Sequence, residues 1–441
     1  MSVILGWSHL HVTQNTFMKI VLINNHSVLN AGDYAILLQT LQLLHNAFPQ
    51  AEISLTFNDP IHARSLLPNY RIYAAPPAWG VELDQHRQVV KAPRLVRGWN
   101  LVLLFFSALL VRLLGKPVRI FRDRQKQALL EELANADLVV ASGGGYIYHW
   151  FTFAAALSIC ALIMRRPLVL LPQSIGPFHH PLQVWLAKII VTGADLVLAR
   201  ETISLRRARD LGAHVVRYEP DLAFALPAAP AELAQAWFRW RQTIPEPATM
   251  YVGITAIDWH GQNPHFHHQQ QYESVLVNFI DRLTEQGAVV VLFSQTCGPS
   301  RSEDDRLVNL RIYQNIRRQE RVIMLNEPIH PALLQSLYGC MDYFVATRLH
   351  SFILATNAGV PALTIGYLTK SIGILSDMGL ADRCLDIQHL NTTKLWQAFT
   401  RLQQEGLPPH VETYVTTTRQ RQQALQRELA ERYGKQKEVA E

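Results

Sequence analysis

Residues 342–370, DYFVATRLHSFILATNAGVPALTIGYLTK, constrain the fold of this chain more than any other stretch. Residues 342–346 form a short run of β-branched and aromatic side chains, which reads as a buried strand. Thr347, Arg348 and His350 follow at once, and residues 351–358 carry apolar side chains at helical spacing until Gly359 and Pro361 stop the helix. Residues 362–365 read as a second strand, with Lys370 just beyond its end. In such a strand–helix–strand unit Arg348, His350 and Lys370 fall near the carboxyl ends of the strands, where open α/β sheets bind ligands. A helix amino terminus there adds free N–H groups and a positive dipole end. The stretch is therefore a candidate anion site; the plainer reading is a surface turn carrying three solvated basic residues.

The rest of the chain repeats that alternation. Residues 19–24, 52–57, 137–141, 167–171 and 194–199 read as strands of one half, and residues 251–255, 288–293 and 321–325 as strands of another. Two Rossmann-like α/β domains with a cleft between them, a GT-B-like architecture, are the expected fold class. The expected division is a loose extension over 1–17 with translation starting at Met18, a first domain over 18–228, an Ala- and Pro-rich connection over 229–248, a second domain over 249–390 and a C-terminal helical segment over 391–441. That last segment has the mixed charge of a long surface helix that can pack back across the first domain.

Several loops at expected strand ends carry chemistry. Asn30, Gly32 and Asp33 lie at the first strand-to-helix turn, where Gly32 permits close approach of a ligand. Asp33 is either an acceptor for a substrate hydroxyl or a helix cap. Gly143, Gly144 and Gly145 follow a strand and allow a phosphate or sugar near the backbone, although the run is neither GxGxxG nor a Walker motif. Gln173 sits in a polar turn able to present it to a ligand, and Arg200 follows another strand directly, as an anion ligand or as half of an ion pair. His260, His265, His267 and His268 share one loop without metal-ligand spacing, so solvent or sugar contact is expected and no metal; Trp259 beside them suits sugar stacking. Residues 302–305 (SEDD) cap a helix or contact substrate.

The most apolar stretch, residues 99–114 (WNLVLLFFSALLVRLL), has an uninterrupted part over 101–111, shorter than the 20 or so residues of a spanning helix. Lys91, Arg94 and Arg97 precede it and Lys116, Arg119 and Arg122 follow. It is either a helix resting in a bilayer interface or one packed on the sheet. The formal charge of +6 suits acidic ligands or anionic lipid, and no nucleic-acid motif accompanies it. Four scattered cysteines without a CxxC pair fit a reducing compartment.

Taken in order, Asn30-x-Gly32-Asp33, Ser142-Gly-Gly-Gly145, Gln173-Ser-Ile-Gly-Pro177, Arg200-Glu201-x-x-Ser204, Arg348-Leu-His350, Gly359-Val-Pro361 and Lys370 resemble the polysaccharide pyruvyl transferase family. The resemblance implies a GT-B-like fold and transfer of the pyruvyl group of phosphoenolpyruvate to two hydroxyls of a hexose, as a ketal. It implies Arg200, His350 and Lys370 as functional basic residues; Asp33 is expected beside them as a catalytic base or sugar ligand, and Arg348, Arg200, Lys370, Ser351 and Gly144 are the expected donor contacts. Asn30, Gly32, Gln173 and Trp259 are the expected acceptor contacts. His350 is expected to act as general acid/base or to bind phosphate as a cation. Family members often carry a basic residue in the loop after the first strand of the second domain; here it reads Ala256-Ile-Asp-Trp-His260. No cofactor is expected beyond phosphoenolpyruvate as co-substrate. The expected partner is a sugar or lipid-linked oligosaccharide, and the expected location is cytoplasmic or peripheral on the cytoplasmic membrane face. The rival readings are a GT-B glycosyltransferase using a nucleotide sugar and a membrane-associated glycan-assembly protein without turnover.

Overall fold

A computed structural model describes residues 17–148, 153–241 and 248–434. The expected extension over 1–17 therefore lies almost wholly outside the described residues, as do residues 242–247 of the connection.

The first sheet is built on a parallel strand, Lys19–Asn25, whose Ile20, Val21, Leu22 and Ile23 are all buried. A run apolar on both faces is what a central strand covered by helices on either side requires. From it the chain steps outward in one direction to Glu52–Phe57 and Arg71–Ala74. It then crosses to the other side and continues through Leu138–Ala141, Leu168–Ile175, Leu196–Ala199 and Val216–Tyr218. A short strand, Gly144–Ile147, extends the pairing of Leu168–Ile175 beyond the end of Leu138–Ala141. The direction reverses between Lys19–Asn25 and Leu138–Ala141, which opens a crevice at their carboxyl ends.

The second sheet repeats the plan. Tyr251–Thr255 leads outward to Val289–Phe293 and Val322–Leu325, then the chain reverses to Tyr343–Ala346, Ala362–Gly366 and Cys384–Asp386, all parallel. Residues 342–370 therefore hold two adjacent strands with the helix Leu349–Asn357 between them. The two Rossmann-like domains of a GT-B architecture are present as expected.

Three apolar clusters hold this together. One covers the outer face of the first sheet, one the outer face of the second, and the third runs continuously between the two sheets. The shared cluster joins the first helix, Ala31–Ala47, to Leu349–Asn357 and to the last helix, Pro409–Tyr433. That last helix returns to the first domain: Tyr414 and Tyr218 share a 2.7 Å hydroxyl contact, and Arg217 meets Glu428 at 2.6 Å. The backbone also crosses between domains, with Ala31 N–H donating to Gln295 C=O at 3.0 Å and Cys297 N–H to Leu29 C=O at 2.9 Å.

The apolar segment forms a helix longer than its uninterrupted apolar part, Arg94–Leu114, 21 residues. Among the described residues it is the one helix long and apolar enough to cross a membrane. Leu104, Ser107, Ala108 and Val111 are nevertheless buried in the outer cluster of the first domain. The helix lies along the domain by that face.

Candidate functional site

Both crevices open into one cleft. The first domain contributes the loop after Lys19–Asn25, the glycines after Leu138–Ala141, Arg200 after Leu196–Ala199, and Asp221. The second contributes residues 294–305, Arg348–His350 after Tyr343–Ala346 and Tyr367–Lys370 after Ala362–Gly366. The helices Leu349–Asn357 and Thr369–Asp377 both start here, and neither start is closed by a side-chain cap. Their dipoles and first-turn N–H groups favour an anion between the domains.

Arg200 is fully buried, because the strand before it is central and the next helix packs over it. Its Nε donates to Ser174 Oγ at 2.7 Å and its Nη1 to Asp221 Oδ2 at 2.7 Å, while Nη2 has no hydrogen-bond partner. A donor bound on two sides and open on the third is aimed rather than merely neutralised. A Cβ built on the exposed Gly145 would stand 3.8 Å from that Nη2 and 3.9 Å from Lys370 Nζ. The two cations thus flank the glycine loop, and a side chain there would intrude between them. Burial in the cleft, reinforced by the neighbouring Arg200, lowers Lys370 to about 8, although Asp33 and Asp221 pull the other way.

His350 stands beside this pair. Its Nε2 is buried with no hydrogen-bond partner and lies 3.6 Å from Asp221 Oδ2, the oxygen that also receives Arg200. Burial alone would raise the Asp221 carboxyl, but His350, Arg200 and the Ala223 N–H hold it well below the usual carboxylate range. A Cβ on Gly32 would fall within 2.6 Å of His350 Cβ and would overlap the ring. Gly32 is thus where the first domain lets the second domain's histidine in. The first helix is capped by Asn30, whose Oδ1 accepts from the Gly32 and Asp33 N–H groups at 3.0 and 3.4 Å. Asp33 is not the cap. Its charge is felt by Lys370, Tyr146, His26 and Tyr367, which places its carboxylate among the cleft groups.

Deeper along the cleft the charges are paired. Arg348 donates to Asp305 Oδ1 through Nε at 3.2 Å and through Nη2. Burial alone would lower the Arg348 guanidinium, but Asp305 outweighs it and the net shift is upward. His26 Nε2 meets Glu303 Oε1 at 2.7 Å across the domain boundary. Burial opposes the charged pair, yet Glu303 lifts His26 to about 9 and His26 holds Glu303 at about 2. Arg87 of the first domain reaches Asp304 of the second at 2.6 Å, and Asp377 Oδ2 of the second accepts from the Thr202 N–H of the first at 2.7 Å. Among the described residues no group of three or more His, Cys, Asp or Glu side chains is placed to hold a metal ion.

A family model for polysaccharide pyruvyl transferases matches residues 30–369, a span that contains the glycine loop, Arg200, Arg348 and His350 and stops one residue short of Lys370. The chain belongs to the polysaccharide pyruvyl transferase family. A member-like relative, the amylovoran biosynthesis protein AmsJ of Erwinia amylovora, is 24% identical over 383 residues, covering 85% of this chain and 89% of AmsJ. Solved structures similar in fold include the S. aureus MnaA–UDP co-structure, with a TM-score of 0.52, 13% identity and 88% of each chain covered. The UDP-GlcNAc 2-epimerase of Methanocaldococcus jannaschii has a TM-score of 0.52 at 11% identity, covering 89% of this chain and 94% of its own. The spinosyn forosaminyltransferase SpnP has a TM-score of 0.50 at 13% identity, covering 97% and 100%.

Of the residues expected from the sequence, the structure brings Arg200, His350, Lys370 and Asp33 together at the cleft. Five others are placed differently. Gln173 is fully buried: its Nε2 donates to Ser142 C=O and its Oε1 accepts from Tyr146 N–H, so it shapes the glycine loop instead of facing an acceptor. Ser351 is buried and donates to Gln295 Oε1 at 3.1 Å, which removes it from donor contact. Trp259 is 3% exposed and packs on Tyr367 at 4.5 Å, inside the core of the second domain, so it offers no stacking platform. Asn30 spends its side-chain oxygen on the helix cap, and Gly145, not Gly144, is the glycine between the cations. Arg348 is at the cleft but committed to Asp305. In the polar loop, His260 Nδ1 is spent on Phe266 C=O at 2.7 Å. Within residues 302–305, Asp304 caps the helix Asp305–Gln314.

The sequence assigned no role to Asp221, His26 or Tyr146, and for residues 302–305 it did not foresee the ion pairs of Glu303 and Asp305. Tyr146 follows the glycines, and its hydroxyl is pushed well up by burial and by Asp33. His26 directly follows the first strand, the same position relative to a strand end that singled out Arg200.

Proposed function

We propose that the protein moves the pyruvyl group of phosphoenolpyruvate onto two hydroxyls of a hexose in a polysaccharide or glycan precursor, as a cyclic ketal with release of phosphate. The observation that carries this reading is the unpartnered Nη2 of Arg200 and the ammonium of Lys370, both within 4 Å of a Cβ built on Gly145 and beside two uncapped helix starts. Phosphoenolpyruvate presents a phosphate and a carboxylate, and this arrangement supplies charge-assisted donors for both. The AmsJ relative, an amylovoran biosynthesis protein, supports a polysaccharide setting. A cytoplasmic location, where phosphoenolpyruvate is made, belongs to the same proposal.

In this reading His350 Nε2, close to Asp221 and without a hydrogen-bond partner, delivers a proton to the methylene carbon of the donor. The C2 carbon becomes oxocarbenium-like. A sugar hydroxyl oxygen bonds to C2 and its proton returns to His350. A second hydroxyl then bonds to C2 as the C2–O bond to phosphate breaks, and Asp33 accepts that hydroxyl's proton or passes it to the departing phosphate. The balance is one donor and one diol to one ketal and one phosphate.

The test is thermal stabilisation of the protein by phosphoenolpyruvate against a panel of nucleotide sugars, in wild type and Lys370→Met. Stabilisation by phosphoenolpyruvate that the variant loses is expected. Stabilisation by a nucleotide sugar alone would replace this reading with a glycosyltransferase.

A further inference from the structure

The helix Arg94–Leu114 is apolar on two opposite sides. The side formed by Leu104, Ser107, Ala108 and Val111 is buried in the first domain. The opposite side is Leu95, Trp99, Val102, Phe106, Leu109 and Leu113, between 44% and 87% exposed. Their spacing alternates four and three residues, so they form one straight stripe, about 30 Å long, down the outer surface of the helix. Farther round the same domain, beyond the helix Ala155–Ile163, the helix Pro181–Gly193 also exposes Leu182, Val184 and Trp185. An exposed apolar stripe of this length on a folded domain marks a contact.

The charges say what kind. Residues 85–122 contain no Asp or Glu and eight Lys or Arg. Arg94 and Arg97 sit at the start of the stripe, and Arg112, Lys116, Arg119 and Arg122 at or beyond its end. A second copy of this helix pairing along the stripe would bring like charges together at both ends, with no acid in the segment to offset them. An anionic surface has the complementary sign. An apolar stripe with aromatic side chains and basic ends is what an interfacial helix presents to lipid.

We infer that this face docks on an anionic lipid surface, with the helix lying in the plane of the interface. The start of the stripe adjoins the cleft: Arg97 Nη2 donates to Pro77 C=O beyond the carboxyl end of the first sheet, and the hairpin just before it carries Arg87 to Asp304 and Pro299 of the second domain. Docking therefore sets the rim of the cleft next to the membrane. On the pyruvyl transfer reading, that is where an acceptor carried on a lipid would be met; the docking itself does not depend on that reading.

The experiment is flotation of the full chain with phosphatidylcholine vesicles, with and without phosphatidylglycerol, alongside sedimentation velocity without lipid. Vesicles containing phosphatidylglycerol should carry the protein up and neutral ones should not, and salt should weaken the association. The double variant Trp99→Glu/Phe106→Glu, on the exposed face, should keep the wild-type melting transition and lose flotation at least about tenfold. Lys116→Glu/Arg119→Glu should weaken it as well. Absence of flotation with anionic vesicles overturns the inference, and so does flotation unchanged in the Trp99/Phe106 variant. A wild-type dimer split by that variant would assign the stripe to a second copy instead. Phosphoenolpyruvate-induced stabilisation, read on the same samples, keeps a failure of docking separate from a failure of the pyruvyl transfer reading.

Discussion

Arg200 and Arg348 make a natural pair for comparison. Each follows a parallel strand at its carboxyl end, each stands at the start of a helix, and each is buried. Arg200 keeps one nitrogen open, next to Lys370 and His350. Arg348 gives Nε and Nη2 to Asp305 within the second domain, next to His26–Glu303 and Arg87–Asp304, which pair across the domain boundary. Residue type and position in the fold are alike, and each is paired with a buried acid, Asp221 or Asp305; the difference lies in the groups alongside. One cluster leaves Arg200 Nη2 without a hydrogen-bond partner beside Lys370; the other pairs its charges, two of the pairs across the domain boundary.

Substitutions that separate turnover, stability and donor affinity bear directly on that contrast. The largest effect is expected at His350. His350→Ala should reduce turnover about 10²- to 10⁴-fold with little change in melting temperature, measured as phosphate release from phosphoenolpyruvate; near-wild-type turnover removes it from the mechanism. Gly32→Ala should approach the same loss by displacing the imidazole while donor-induced stabilisation persists. Next, Arg348→Met strands the Asp305 carboxylate and should cost about 3–5 kcal/mol of stability, read from denaturant unfolding. Lys370→Met should leave stability intact and weaken the donor about ten- to a hundredfold, from the loss of one charge-assisted contact of about 1.5–3 kcal/mol. If the two variants gave the same profile, the distinction between the clusters would collapse.

Two pH effects are smaller. Lys370 titrates near 8, so it is charged below that value, and donor affinity should fall as pH rises through it. Lys370→Met should abolish that inflection in a calorimetric titration. The His26–Glu303 pair contributes fully only between the unfolded values of 4.5 and 6.5. Its contribution declines as pH rises toward and through 9, and as pH falls toward and through 2. Both side chains are a quarter to a third exposed, so the amount is about 1 kcal/mol. Glu303→Gln should flatten the alkaline part of the melting-temperature profile relative to wild type.

These clusters also show what the sequence can and cannot convey. The strands were legible because each is a short apolar run that helices cover on both faces, as in residues 20–23 and 289–293. Arg200, His350 and Lys370 were legible because a strand end is adjacent to them in the chain. Their partners were not. Asp221 lies 21 residues from Arg200, Asp305 lies 43 from Arg348, and Glu303 lies 277 from His26, so nothing local announces the pairing. Trp259 misled for a related reason. An aromatic residue in a polar, His-rich loop reads as exposed until the Tyr367 ring that covers it is in place. Asn30, expected as an acceptor contact, takes the cap for which Asp33 was the other candidate, because either can cap a helix and only the backbone geometry at Asn30 decides it.

The return of the last helix to the first domain has a consequence during synthesis. Leu41 and Leu44 of the first helix share a core with Val411, Val415, Leu425, Leu429 and Tyr433. While the chain is still on the ribosome, the first domain emerges hundreds of residues before the helix that seals it. It must wait with part of its core exposed, and a product cut short anywhere before residue 409 never receives its seal. The helix Pro409–Tyr433 thus ties the closing of the first domain's core to a segment nearly four hundred residues further along the chain.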